Sequence, residues 1–132
     1  MSFVLGSNSR GKLIGVHPDL VKVVERAIEI TEVDFSVIEG VRAIERQKLL
    51  MEEGATKTMK SKHLKQPDGY SHAVDLYPVG RPTPWHKTPM IAKAMFQAAD
   101  ELKVKIRWGG DWNMNGITTD EKFYDSPHYE LI

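Results

Sequence analysis

Ser61-Lys62-His63-Leu64-Lys65-Gln66-Pro67-Asp68-Gly69-Tyr70-Ser71-His72-Ala73-Val74-Asp75 is the stretch on which the reading of this chain turns. It carries two of the five histidines and ends with a carboxylate inside the apolar run Ala73-Val74-Asp75-Leu76-Tyr77. That run predicts a short buried strand. A charged Asp75 within it is costly unless it is paired or bound to a metal. His128 lies near the C-terminus in Tyr124-Asp125-Ser126-Pro127-His128-Tyr129-Glu130, and 128–131 reads as a strand beside 73–77. Zinc accepts imidazole nitrogen and carboxylate oxygen, and a catalytic zinc site keeps a position open for water. His63, Asp75 and His128 are therefore the candidate ligands of one zinc ion, although their spacing is not the helical His-Glu-x-x-His pattern.

Such a site needs a carboxylate to move protons. Two are near His128. Glu130, two residues on, shares its face if the segment is a strand. Asp125 stands just ahead of Ser126-Pro127, where extended or turn geometry folds it back over the same site.

Working outward, 18–30 is an amphipathic helix with Pro18 in its first turn and Asp19 at its positive end. His17 is read as the residue at which the chain enters that helix, not as a ligand. Asp34 to Gly40 alternates as a strand. A second helix covers 43–53, with Ile44, Leu49, Leu50 and Met51 as its apolar residues, and Gly54 closes it. Arg42 sits at the strand-to-helix junction and Gln47 on the helix. A long helix is expected over 88–103 and a further strand over 104–108, followed by a turn presenting Trp108 and Trp112. Residues 1–17 read as an arm with Leu5, Leu13, Ile14 and Val16 tucked onto the domain. Residues 55–72 read as a polar loop whose Lys57, Lys60, Lys62 and Lys65 suit a solvated surface better than a phosphate or sugar footprint. The order implies one α+β domain over 1–132, an antiparallel sheet with helices on one side.

Composition narrows the function. Lys+Arg and Asp+Glu are both 18, so net charge is zero, which disfavours a mainly electrostatic nucleic-acid binder. There is no cysteine, so neither disulfides nor thiolate zinc sites arise. No apolar run approaches the ~20 residues of a membrane span, and the N-terminus lacks the apolar core of a secretory signal.

Taken together, Gly40-Val41-Arg42, Glu45-Arg46-Gln47, Ser61-Lys62-His63, His72-Ala73-Val74-Asp75, Trp108-Gly109-Gly110-Asp111-Trp112 and Asp125-Ser126-Pro127-His128-Tyr129-Glu130 strongly resemble one family. It is the zinc D-Ala-D-Ala carboxypeptidase and L-alanyl-D-glutamate endopeptidase group, in particular its phage endolysins, which share a fold with the hedgehog signalling domain. The resemblance runs from about His17 to Leu131. It implies His63, Asp75 and His128 as zinc ligands and Asp125 as the general base. It implies Arg42 as the group that binds substrate and steadies the oxyanion. Ser61 and Gln47 would help hold substrate, and Trp108 and Trp112 would shape the cleft.

The family's shorter His-x-x-Gly-x-Ala-x-Asp spacing is stretched here to a step of twelve from His63 to Asp75. Gln66 to Tyr70 reads as an inserted loop, which makes His72 a rival of His63 and puts Tyr70 within possible reach of substrate. The resemblance implies cleavage of the L-alanyl-D-glutamate bond of peptidoglycan stem peptides, with D-Ala-D-Ala carboxypeptidase or a zinc-bearing binding module as alternatives. It also implies a monomer held in the host cytoplasm that depends on a holin or similar route to reach the wall.

Overall fold

The computed structural model describes residues 3–54, 61–119 and 124–132, so Lys57 and Lys60 fall outside the described part. Its sheet is antiparallel throughout. Strands β1 (Phe35–Glu39), β2 (Ala73–Pro78), β3 (Ile106–Trp108) and β4 (His128–Leu131) lie in the order β1-β2-β4-β3.

Strand alternation divides the sheet's two faces between stability and chemistry. Val37 pairs with Leu76, Val74 with Tyr129, and Tyr129 with Trp108, and all of these belong to the buried core. Between them, Asp75 pairs with His128, Arg107 with Glu130, and Ser36 with Tyr77, so these side chains point the other way.

Two helices cover the apolar face. Helix α2 (Pro18–Ile30) buries Leu20, Val23, Val24, Ala27 and Ile28, and α4 (Thr88–Leu102) buries Ile91, Ala92, Ala94, Met95, Ala98 and Ala99. Both bury residues at the three- and four-residue steps that put side chains on one helical face. No helix among the described residues is long and apolar enough to cross a membrane.

Two expectations are corrected. The N-terminal arm contains a helix, α1 (Ser7–Lys12), whose Ser9 hydroxyl accepts the Val37 N–H at 3.0 Å. Its Ser, Asn and Gly residues are weak helix formers, so the helix rests on docking against β1. Leu5, Leu13 and Val16 are buried as expected, but Ile14 is 78% exposed.

The second correction concerns α3 (Ile44–Glu52), which is turned opposite to its apolar pattern. Ile44, Leu49 and Met51 are exposed, and the buried residue is Gln47. Gln47 faces inward and accepts a hydrogen bond from Arg42. The helix ends as read: Glu53 is its C-cap, and Gly54, with φ 76°, follows in the left-handed region that favours glycine.

Candidate metal centre

Asp75 and His128 face each other across the β2–β4 ladder, and His63 reaches them from the loop before β2. His63 Nε2 lies 3.1 Å from Asp75 Oδ1, and His128 Nδ1 lies 3.4 Å from the same oxygen. The two imidazoles meet edge to face with centroids 5.0 Å apart. His63 is 1% exposed and His128 6%.

What faces the other ring nitrogens decides what this cluster can hold. His63 Nδ1 lies 2.8 Å from the Gly40 carbonyl, which can only accept, so the ring proton sits on Nδ1. His128 Nε2 lies 2.8 Å from Glu130 Oε1, and Glu130 Oε2 accepts Arg107 Nη2 at 2.6 Å. Burial pushes the Glu130 carboxyl up, but the bonds from His128 and Arg107 prevail and hold it below the usual range, so it is an acceptor. His128 therefore carries its proton on Nε2.

In the neutral rings, the nitrogens left over both aim lone pairs at a carboxylate oxygen. Three acceptors converge, and only a cation or extra protons reconcile them. Burial pushes the Asp75 carboxyl up, but hydrogen bonds from His128 and His63 outweigh it and hold the group well below the carboxylate range. Burial likewise lowers His128, but its bonds to Asp75 and Glu130 raise it to about 9. Each imidazole is oriented through its second nitrogen by an acceptor, the support that metal-binding histidines commonly have. The donor set fits a metal ion: the ligating atoms of His63, Asp75 and His128 lie within 4.8 Å of one another.

A second cluster, His17, Asp68 and His72, has similar spacing but different chemistry. His17 is the N-cap of α2, and its Nδ1 accepts the Asp19 N–H at 3.1 Å. The proton of its neutral ring is therefore on Nε2, which faces Asp68 Oδ2 at 3.8 Å as a donor. His72 Nε2 lies 2.7 Å from that same carboxylate oxygen. These groups satisfy one another without a cation. His72 thus lies in the second cluster, and His63 lies with Asp75 and His128 in the first.

The loop from Gln66 to Tyr70 explains this arrangement. Gln66 and Tyr70 close it through the bond from the Gln66 N–H to the Tyr70 carbonyl, and Gly69 at φ 91° makes its tight turn. The loop folds on itself, and its Asp68 side chain meets His17 and His72. Tyr70 packs edge-on against the His17 ring at 5.6 Å, so its contact is with the second cluster.

The remaining expected residues divide by role. Arg42 donates its backbone N–H to the His63 carbonyl at 2.8 Å, its Nε to Glu39, and its Nη1 to Gln47 at 2.9 Å. Gln47, fully buried, therefore holds Arg42 in place. Ser61 Oγ accepts the His63 N–H at 3.1 Å and shapes the loop that carries His63.

Trp112 stands beside the cluster, 5.1 Å from the His128 ring, with the Arg107 guanidinium 5.5 Å from its centroid. Trp108 is buried with the core, where its indole donates to the Ser126 carbonyl at 2.6 Å. It therefore anchors the Asp125 loop from behind and is not a cleft wall; the strand's alternation puts Arg107 on the site face instead.

Asp125 is half-buried. Burial, then the charge of Asp75, raises its carboxyl, and His128, His63 and Arg42 pull it down. Its loop is pinned by the Asp125 N–H to the Gly109 carbonyl and by the Gly109 N–H to the His128 carbonyl, both 2.8 Å. A Cβ at Gly109 would overlap the Asp125 backbone, the close approach that requires glycine there.

Sequence reading had no signal for the Gly40 carbonyl or for the Glu39 and Arg107 tethers. A backbone acceptor has no residue type, and charged residues beside a strand end ordinarily read as surface.

The chain is similar to known proteins along its whole length. A family model for the phage L-alanyl-D-glutamate peptidase matches residues 1–132. The chain is 34% identical, over an alignment of 142 positions spanning all of both chains, to the L-alanyl-D-glutamate peptidase of Escherichia phage T5. Among solved structures it resembles the Serratia marcescens L-Ala D-Glu endopeptidase ChiX, with a TM-score of 0.81 and 33% identity. That match covers 98% of this chain and 90% of the other.

Proposed function

The chain belongs to the phage L-alanyl-D-glutamate peptidase family, and from that premise we propose that it is a zinc endopeptidase hydrolysing the L-alanyl-D-glutamate bond of peptidoglycan. The observation that carries the metal assignment is the convergence of three acceptors on one point, with both imidazoles held through their other nitrogens. Two imidazoles and one carboxylate are the ligand types of catalytic zinc sites.

His63, Asp75 and His128 would hold the ion. When bound, zinc supplies Lewis acidity and brings the pKa of a water toward ~7. Asp125 is the general base: it takes the proton of the attacking water and returns it to the leaving amine. Burial and the charge of Asp75 raise its pKa, which makes it a stronger proton acceptor. Arg42 steadies the oxyanion, a role supported by the Glu39 and Gln47 bonds that hold its side chain in advance. Trp112 walls the cluster on the β3 side.

The catalytic unit is the whole chain, 1–132, acting as a monomer on peptidoglycan. As a phage endolysin it stays in the host cytoplasm until a holin or equivalent route opens the way to the wall.

Mass spectrometry of soluble products from purified peptidoglycan tests the reading. Zinc-loaded protein should release stem peptides that begin at D-glutamate, and a chelator should abolish them. Release of a terminal D-alanine alone would assign the carboxypeptidase reaction instead.

A further inference from the structure

The site face of the sheet does not end at the metal cluster. Beyond Asp75, β2 continues through Tyr77 and Pro78, and a cavity of about 410 Å³ opens there, lined in part by Ile38, Tyr77, Val79 and Arg81. Tyr77 lies two residues past Asp75 on the same face, so their Cα atoms are ~7 Å apart along the strand. Trp85 stands edge-on to Tyr77 with centroids 4.8 Å apart and is 47% exposed. Ile38 and Val79, 42% and 52% exposed, give the cavity apolar walls. Arg81, exposed, makes no ion pair among the described residues and is the cavity's one charged lining residue.

The opposite direction along β2 is closed. Ser71, Ala73, Gln47 and His63 are all buried there. A peptide lying over the cluster therefore extends toward Tyr77. Its polarity follows from Asp125. This carboxylate returns the proton to the leaving amine, so the amine-side fragment lies on its side of the metal. Tyr77 is on that side: the Leu76 N–H donates to the Pro127 carbonyl at 2.8 Å, so the segment that carries Asp125 runs beside β2 beyond Asp75.

We propose that the Tyr77–Arg81 cavity is the subsite for the stem-peptide residue that follows D-glutamate, and that Arg81 binds a carboxylate on that residue's side chain. This rests on the endopeptidase reading above. The distances agree: the second residue after the cut lies ~7 Å or more along an extended peptide, at the level of Tyr77 to Pro78, where Arg81 rims the cavity. Arginine is suited to a carboxylate because its planar fork can donate two parallel hydrogen bonds. The site would thus prefer stems whose third residue carries a side-chain carboxylate over stems with a plain amine there.

Two C-terminally amidated peptides, L-Ala-γ-D-Glu-X with X either meso-diaminopimelate or L-lysine, differ by that one carboxylate. Steady-state kinetics of wild type, Arg81→Ala and Arg81→Lys on both tests the subsite. Arg81→Ala should raise KM on the diaminopimelate peptide about 5- to 10-fold, leave kcat within about twofold, and change the lysine peptide less than about twofold. Arg81→Lys should fall between. Equal losses on both peptides, or none on the diaminopimelate peptide, would overturn the subsite while leaving the endopeptidase reading intact. If wild type cuts neither peptide between alanine and glutamate, that reading fails and the subsite with it.

Discussion

Glu130→Gln isolates the support beneath the metal centre, because it changes one atom of a buried group and leaves all three candidate ligands in place. Glu130 is 4% exposed and serves two donors, His128 Nε2 at 2.8 Å through Oε1 and Arg107 Nη2 at 2.6 Å through Oε2. A glutamine has one oxygen for these two donors. If its oxygen faces His128, its amide N–H groups oppose the Arg107 guanidinium; if it faces Arg107, His128 loses its acceptor. Either way a hydrogen bond involving a charged group is lost, ordinarily worth about 1.5–3 kcal/mol. The His128 ring also loses the anion that makes it a better donor to a metal. Disturbing such supports commonly weakens metal binding about 10- to 100-fold, or about 1.4–2.7 kcal/mol. Zinc affinity, measured by competition with a chromophoric chelator, should therefore fall at least about tenfold. Adding Arg107→Met removes the opposing donor and should restore about threefold. Zinc affinity within about twofold of wild type in Glu130→Gln would refute the orienting role.

Asp125→Asn should abolish most turnover yet raise the melting temperature of the metal-free protein at neutral pH. Burial and Asp75 raise the folded pKa above its ordinary value of 3.8, so ionising Asp125 costs stability that is fully felt above the folded pKa and disappears below the unfolded one. The gap between mutant and wild type should close as pH falls through that window; a mutant less stable at pH 7 would contradict it. Gly40→Ala should weaken zinc binding through no ligand of its own. A Cβ there would overlap the Lys12 carbonyl and come 2.8 Å from Val16 Cγ2, displacing the strand end whose carbonyl orients His63. Unchanged zinc affinity in a folded Gly40→Ala would count against that orientation. His17→Ala removes the cap of α2 and should cost about 1 kcal/mol in denaturant unfolding, with zinc content unaltered; loss of zinc would show that the second cluster participates in metal binding.

Much of the site was legible because it is built on strands. A carboxylate inside Ala73 to Tyr77 calls for a partner, and the two-residue period puts Glu130 on the same face as His128, where the structure has it bonded to that ring. Helices α2 and α4 were equally legible, since packing supplies their stability and leaves a periodic apolar stripe. What stayed hidden depends on tertiary contact. Helix α1 has no stripe and is held by Ser9 against β1. Helix α3 inverts its pattern: Gln47 is buried and bonded to Arg42, while Ile44, Leu49 and Met51 are exposed, an arrangement set by tertiary contact. Trp108 and Trp112 look alike in Trp108-Gly109-Gly110-Asp111-Trp112. The strand's alternation assigns Trp108 to the core, and the turn after it brings Trp112 to His128. Position relative to Asp75 favoured His63 but left His72 as a rival, because the cluster each histidine joins is set by tertiary contact.

Zinc content per chain tests the central assignment most directly. Wild type, His63→Ala and His72→Ala would each be stripped with chelator, reloaded at one zinc per chain and desalted before elemental analysis. Wild type and His72→Ala should keep close to one zinc, and His63→Ala should keep essentially none. Zinc retained by His63→Ala and lost by His72→Ala would place the metal in the other cluster and contradict the assignment of His63, Asp75 and His128.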